Sequence, residues 1–94
     1  MTAQLTEKQI ERIAKALAEP RRVQILKLIG SQKAGTCPCA ALLEAQEITA
    51  ATLSHHIKEL ENADLIEAKK DGKFVNVTIR RDVLQAYLSH LAEF

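Results

Sequence analysis

Aromatic residues, glycine, proline and cysteine are all scarce in this sequence. Its 94 residues include no tryptophan, one tyrosine, two phenylalanines, three glycines, two prolines and two cysteines. Each scarcity excludes something. Two cysteines cannot build a disulfide scaffold, so the thiols are expected to stay reduced. Three aromatics, of which only Phe74 lies in a basic run, leave little to stack on single-stranded bases. There is no glycine-rich phosphate loop and no HExxH motif. Ser54, His55 and Asp64 supply the residue types of a catalytic triad, but spacing alone carries none of its geometry, and no enzyme is expected. No apolar run approaches the roughly 18 residues that cross a bilayer. The opening "MTAQLTEKQIERIAK" lacks the basic-then-apolar layout of a secretory signal. A cytoplasmic protein with no membrane partner is expected.

What is present describes one small folded domain, 1–94. The apolar fraction is 47% and the charged fraction 27%, a globular rather than disordered balance. A chain this short buries only about two-thirds of its unfolded surface, so a second subunit is a natural source of further burial. Thr6 and Gln9 fit a capping box. Ile10, Ile13, Ala14 and Leu17 then recur at helical spacing, which predicts a helix over about 6–18. Pro20 ends it and suits the first turn of the next. "RRVQILKLI" is apolar around so much of its circumference that this helix should be central. "GSQKAG" reads as a polar loop. A short helix, "PCAALLEA", follows, and Thr49 can cap another, "AATLSHHIKELENA". Two short helices joined by a tight link, about 37–63, are the pattern of a helix-turn-helix. Val75, Val77 and Ile79 alternate as a strand, "LIEAKK" is its partner, and Asp71-Gly72 is the turn signal, giving a hairpin over about 65–79. A last helix, about 82–93, carries the stripe Leu84, Tyr87, Leu88 and Leu91. The expected fold is mainly α with a β-hairpin wing. Its order is helix, helix, helix, helix, hairpin, helix: a winged helix-turn-helix with an added helix at each end.

Net charge is only +1, so distribution matters more than total. Lys69, Lys70, Lys73, Arg80 and Arg81 cluster against the single acid Asp71, a candidate phosphate-contacting surface. The B-DNA major groove admits one helix, whose N-terminal residues meet base edges. Thr49, Ala50, Ala51, Thr52, Ser54, His55 and Lys58 occupy the leading end of the second short helix. With no Arg, Asn or Gln among them, direct base readout should be modest, and the wing lysines 69, 70 and 73 should supply much of the affinity. His56, beside Ile57, reads as a boundary residue without chemistry. Double-stranded DNA is the expected partner. A protein–protein winged-helix module is the alternative, but it would favour an apolar exposed face and a neutral or acidic wing.

"KALAEPRRVQILKLI" followed by "CPCAALLEAQEITAATLSHHIKELENADLIEAKKDGKFVNVTI" resembles the ArsR/SmtB family of bacterial winged-helix repressors. The matching features are the Ala-x-Pro-x-Arg entry to the second helix, "LSHHIKEL", and "DGKFV" in the wing. The resemblance implies a homodimer held by its first and last helices, with Ile10, Ile13, Leu17, Leu84, Tyr87, Leu88 and Leu91 at the interface; the alternative is that these stripes pack only onto their own core. It also implies repression at a pseudo-palindromic operator, relieved by an inducer that is often a metal ion. Asp64 departs from the family, which usually has glycine there, and should hold the turn in a left-handed conformation with some strain.

The family also gives meaning to "CPC". Members that sense arsenic, cadmium or lead carry Cys-x-Cys at this helix start, where Cys37 and Cys39 stand. Cys37, before a proline, should be extended. Pro38 should take the first helical position and Cys39 the first turn, where the helix dipole favours thiolate. No cofactor is certain, but a soft metal or metalloid ion at Cys37 and Cys39 is a candidate, as is oxidation. The family's third arsenic ligand position holds Leu42 here, and residues 1–30 contain no cysteine for the cadmium pattern. Its last-helix metal site would find only Asp82 and His90. The expected function is a duplex-DNA repressor released by a thiol-reactive signal. The alternative within that reading is a different inducer with inert cysteines.

Overall fold

Polar caps set the helix starts. In the computed structural model, which describes residues 4–94, Thr6 Oγ1 accepts from the Gln9 amide at 3.1 Å and Gln9 Oε1 accepts from the Thr6 amide at 2.9 Å. This capping box opens α1 (Glu7–Leu17). Glu19 caps α2 (Pro20–Ser31), with Pro20 in its first turn. A single 3-10 turn (Lys33–Gly35) leads to β1 (Thr36–Pro38) and α3 (Cys39–Gln46), and Thr49 then caps α4 (Ala50–Asn62). The wing is β2 (Ile66–Asp71) and β3 (Phe74–Ile79), and α5 (Arg81–Ala92) closes the chain.

One core joins these elements. Ile13, Ile25, Ile29, Leu42, Leu60, Leu65, Ile66 and Val77 are fully buried. They come from α1, α2, α3, α4 and the sheet, so the helix-turn-helix and the wing share one packed interior. As expected, α2 is central, burying Ile25, Leu26 and Ile29, with Val23 and Leu28 half-buried.

The sheet departs from the expected hairpin. It has three antiparallel strands in the order β1-β3-β2. Thr36 to Pro38 pair with Thr78 to Asn76, and Cys37 lies opposite Val77. Three residues are too short to show an alternating pattern, so nothing in "TCP" signals a strand. Gly35 lets the chain enter β1: its φ is +65°, and a Cβ there would stand 2.9 Å from Ile79 Cγ2. In the wing, Asp71 pairs with Phe74, so the two-residue turn is Gly72-Lys73 rather than Asp71-Gly72. Gly72, at φ +63°, supplies the positive φ that tight hairpin turns need.

Two further placements, in α1 and at Pro38, differ from expectation. The inner face of α1 is Ile13 and Ala16, while Ala14 is exposed; Ile13 is fully buried in its own core and presents no surface to a partner. In α5 Val83 and Ala86 are buried, Leu84 and Tyr87 are half-buried against the core, and Leu88 and Leu91 are exposed. Pro38 is extended and precedes α3, which leaves Cys39 as its first helical residue. Asp64 does adopt the left-handed conformation, at φ +61°.

Candidate nucleic-acid interface

The leading end of α4 is held by its cap. Thr49 Oγ1 accepts from the Thr52 amide at 3.1 Å and donates to Thr52 Oγ1 at 2.8 Å. Thr52 Oγ1 therefore accepts one hydrogen bond within the cap and keeps its own O–H and a second lone pair for an outside partner. Thr49, Ala50, Ala51, Thr52, Ser54, His55 and Lys58 are all exposed, while Leu53, His56, Ile57 and Leu60 face inward. One side of the helix is thus polar and small, and the opposite side locks it to the core. The link before α4 turns through Glu47 in a left-handed conformation at φ +50°. Three residues, Glu47 to Thr49, therefore suffice to join the two short helices.

The wing carries its lysines on exposed backbone. Lys69, Lys70 and Lys73 are exposed, and among the described residues only Lys69 lies within ion-pair distance of an acid, Glu67 at 3.9 Å. Arg80 and Arg81, counted with them in the basic cluster, are otherwise engaged. Arg80 pairs with Asp82 at 3.0 Å, holding that carboxyl below the usual range, and Arg81 Nη2 donates to Gly30 O at 2.9 Å. The free cationic part of the wing is therefore near its tip, beside the exposed ring of Phe74.

A different surface is apolar. Leu88 is 59%, Leu91 40% and Phe94 92% exposed, with Leu84 and Tyr87 half-buried on the same helix. Ile10 and Leu17 of α1 are half-buried. Single exposed leucines are ordinary, but several along one face of one helix form a patch that water disfavours.

Cys37 and Cys39 stand where β1 becomes α3. Cys37 is 4% exposed, and its thiol donates to Pro38 O at 3.4 Å; Cys39 is half-buried. Burial pushes both thiols up, and the charge of Cys39 adds to the effect at Cys37. Burial therefore works against the thiolate expected at the helix start. Among the described residues no group of three or more His, Cys, Asp or Glu side chains could hold a metal ion. Asp82 and His90, at opposite ends of α5, do not meet.

Two engagements were not legible beforehand. His56, read as a boundary residue, is buried with its Nδ1 3.4 Å from Arg22 Nη1. Gln46 is also buried, accepting from Arg21 Nη1 at its backbone O, 2.8 Å, and at Oε1, 3.3 Å. The available signal was two arginines in the first turn of a helix, where the dipole disfavours cations and a specific partner is needed to keep them.

A helix-turn-helix domain family model matches residues 17–68, more than half of the chain. Over 85 residues the chain is 33% identical to the arsenical resistance operon repressor of Staphylococcus aureus, covering 86% of this chain and 79% of that one. It is 35% identical over 68 residues to the repressor of the same name from Staphylococcus xylosus, covering 72% of this chain and 62% of that relative's length. Among solved structures, one similar fold is the homodimeric winged helix-turn-helix DNA-binding domain of a possible ArsR-family regulator from Mycobacterium bovis. It has a TM-score of 0.73 and 28% identity, covering 99% of this chain and 91% of that one.

Proposed function

The chain belongs to the ArsR family of winged helix-turn-helix transcriptional regulators, and on that premise we propose that it is a homodimeric cytoplasmic repressor of a pseudo-palindromic DNA operator, released when a thiol-reactive signal reaches Cys37 and Cys39. It is a regulator and not an enzyme. The observation that carries the DNA reading is the opposite treatment of the two faces of α4: a polar, small-residue outer face beside a lysine-bearing wing, and an inner face locked to the core. Residues 49–52, 54, 55 and 58 enter the major groove, and Lys69, Lys70 and Lys73 contact phosphates. The free Thr52 O–H donates to a base acceptor, and His55 reaches a neighbouring edge. Two copies meet through the outward stripe of α5 with the flank of α1. Leu84, Tyr87, Leu88, Leu91, Ile10 and Leu17 touch the partner, and Ile13 supports α1 from within.

The thiols are linked to the wing through the backbone. Cys37 pairs with Val77 of β3, and Cys39 opens the first helix of the helix-turn-helix. A soft metal, metalloid or oxidant that changes the distance between the sulfurs strains β1 against β3 and shifts the wing relative to α3. The burial of Cys37 in the core cluster favours a second reading, in which both thiols only pack and the inducer acts elsewhere. Fluorescence anisotropy on a duplex that the protein itself selects from a random pool separates the two. The titration is repeated with arsenite, cadmium, zinc and hydrogen peroxide, on wild type and on Cys37→Ser. Release by one of these in wild type alone identifies the sensor; indifference to all four leaves the cysteines as packing.

A further inference from the structure

The buried polar side chains among the described residues are Gln46 and His56. Gln46 ends α3 and His56 lies within α4, so one sits on each helix of the helix-turn-helix. Both meet the first turn of α2, on adjacent arginines. Arg21 takes the last backbone carbonyl of α3 and the Gln46 side chain. Arg22 Nε donates to Ala16 O at 2.8 Å and Nη2 to Lys15 O at 3.4 Å, and Nη1 lies 3.4 Å from His56 Nδ1. One side chain therefore binds the C-terminal carbonyls of α1 and the middle of the recognition helix. Cations in the first turn of α2 oppose its dipole, so they do not serve that helix. Buried polar groups left without partners are costly, so Gln46 and His56 hold their helices only where the arginines are.

We infer that Arg21 and Arg22 are positioning residues for DNA reading: they fix α3 and α4 relative to each other and tie the recognition helix to the end of α1. This rests on the DNA-binding reading above. It also gives α1, the flank of the proposed dimer contact, a direct hold on α4. A change at the subunit interface then reaches the reading head through one guanidinium.

The clamp requires a neutral His56. Its Nδ1 must accept from Arg22, with the ring proton on Nε2; an imidazolium has no lone pair to offer and meets the guanidinium as a like charge. The charged and titratable groups around it are Arg22, Arg21, His55 and Glu19, of which only Glu19 favours the cation. Burial first, and Arg22 second, hold the His56 pKa below the ordinary 6.5. A depressed histidine pKa means the clamped form binds fewer protons than the released form. The clamp is therefore complete above pH 6.5 and is lost as pH falls from there toward the lowered value. His55 is exposed on the proposed DNA side. A comparison that leaves His55 in place cancels its contribution.

The test compares wild type, Arg22→Gln, Arg22→Lys and His56→Gln on the selected duplex, by anisotropy over salt at about pH 7.5 and about pH 5.5, one unit below the ordinary histidine pKa. DNA-free thermal melts are recorded at both values. Arg22→Gln is expected to weaken binding about tenfold with an unchanged salt slope, and Arg22→Lys to fall between. A slope reduced by about one would make Arg22 a phosphate contact and overturn the positioning role. The acid-induced loss of affinity should be up to about tenfold larger in wild type than in His56→Gln. Equal losses would overturn the clamp. The melting temperature of wild type should likewise drop more on acidification than that of His56→Gln, which checks the clamp without DNA. Wild type that binds no duplex at the higher pH would refute the DNA reading itself, and the melts would still decide whether the clamp exists.

Discussion

The leading end of α4 and the outer face of α5 are both exposed, yet their chemistry is opposite. On α4 the outward residues are threonine, serine, alanine, histidine and lysine, and the large apolar side chains all turn in. On α5 the fully buried residues are the small Val83 and Ala86, while Leu88 and Leu91 are turned out. A helix that buries its small side chains and shows its large ones is not completed by its own chain. A helix with a polar, small-residue outer face can approach a hydrated, charged groove closely. The two surfaces therefore call for different partners: a second copy at α5, and a duplex at α4 and the wing.

That contrast can be broken at either end. The largest effect is expected at α5, where Leu88→Glu or Leu91→Glu places a charge in the proposed apolar contact, costing several kcal/mol per dimer. Sedimentation should show monomer with an unchanged circular dichroism spectrum, since both residues are well exposed. A persistent dimer would put the interface elsewhere. Next comes the wing. Reversing Lys70 and Lys73 together should weaken binding to every duplex by about 10- to 100-fold and lower the salt slope by about two. An unchanged slope would remove the wing tip from the DNA contact. Thr52→Ala and His55→Ala should each cost about 0.5–1.5 kcal/mol on the preferred duplex and less on variants altered at the position read. An equal loss on all sequences would show that these residues do not read bases. The smallest effect lies outside both surfaces. Ala34 holds φ +64° just before Gly35, a left-handed conformation that costs a residue with a Cβ about 1–2 kcal/mol. Ala34→Gly should therefore raise stability by up to about 1 kcal/mol in a denaturant titration and leave DNA binding alone.

How much of this was legible depended on the length of the signal. The long periodic helices, the Thr6 and Thr49 caps and the alternating Val75, Val77 and Ile79 carry their own evidence, so element types and order could be read directly. β1 could not, because three residues express no period and their pairing with β3 is a long-range choice. The apolar stripe of α5 was visible, but which side of it faced the core was not. Val83 and Ala86 are small, and only packing shows that a small-residue face is the buried one. The thiol environment is not legible locally: helix position favours thiolate at Cys39, while burial, a tertiary property, pushes both thiols up. Arg21, Arg22, Gln46 and His56 were invisible as a set because their partners lie between 6 and 34 positions apart.

The central claim is that α4 and the wing read a specific duplex, and it is tested most directly by measuring the affinity of the reduced protein for its selected duplex and for a scrambled one across a range of salt. The account predicts a steep salt dependence on both and a preference of at least about 10³ for the selected sequence at physiological salt. Equal affinity for the two duplexes, or binding that ignores salt, would contradict it.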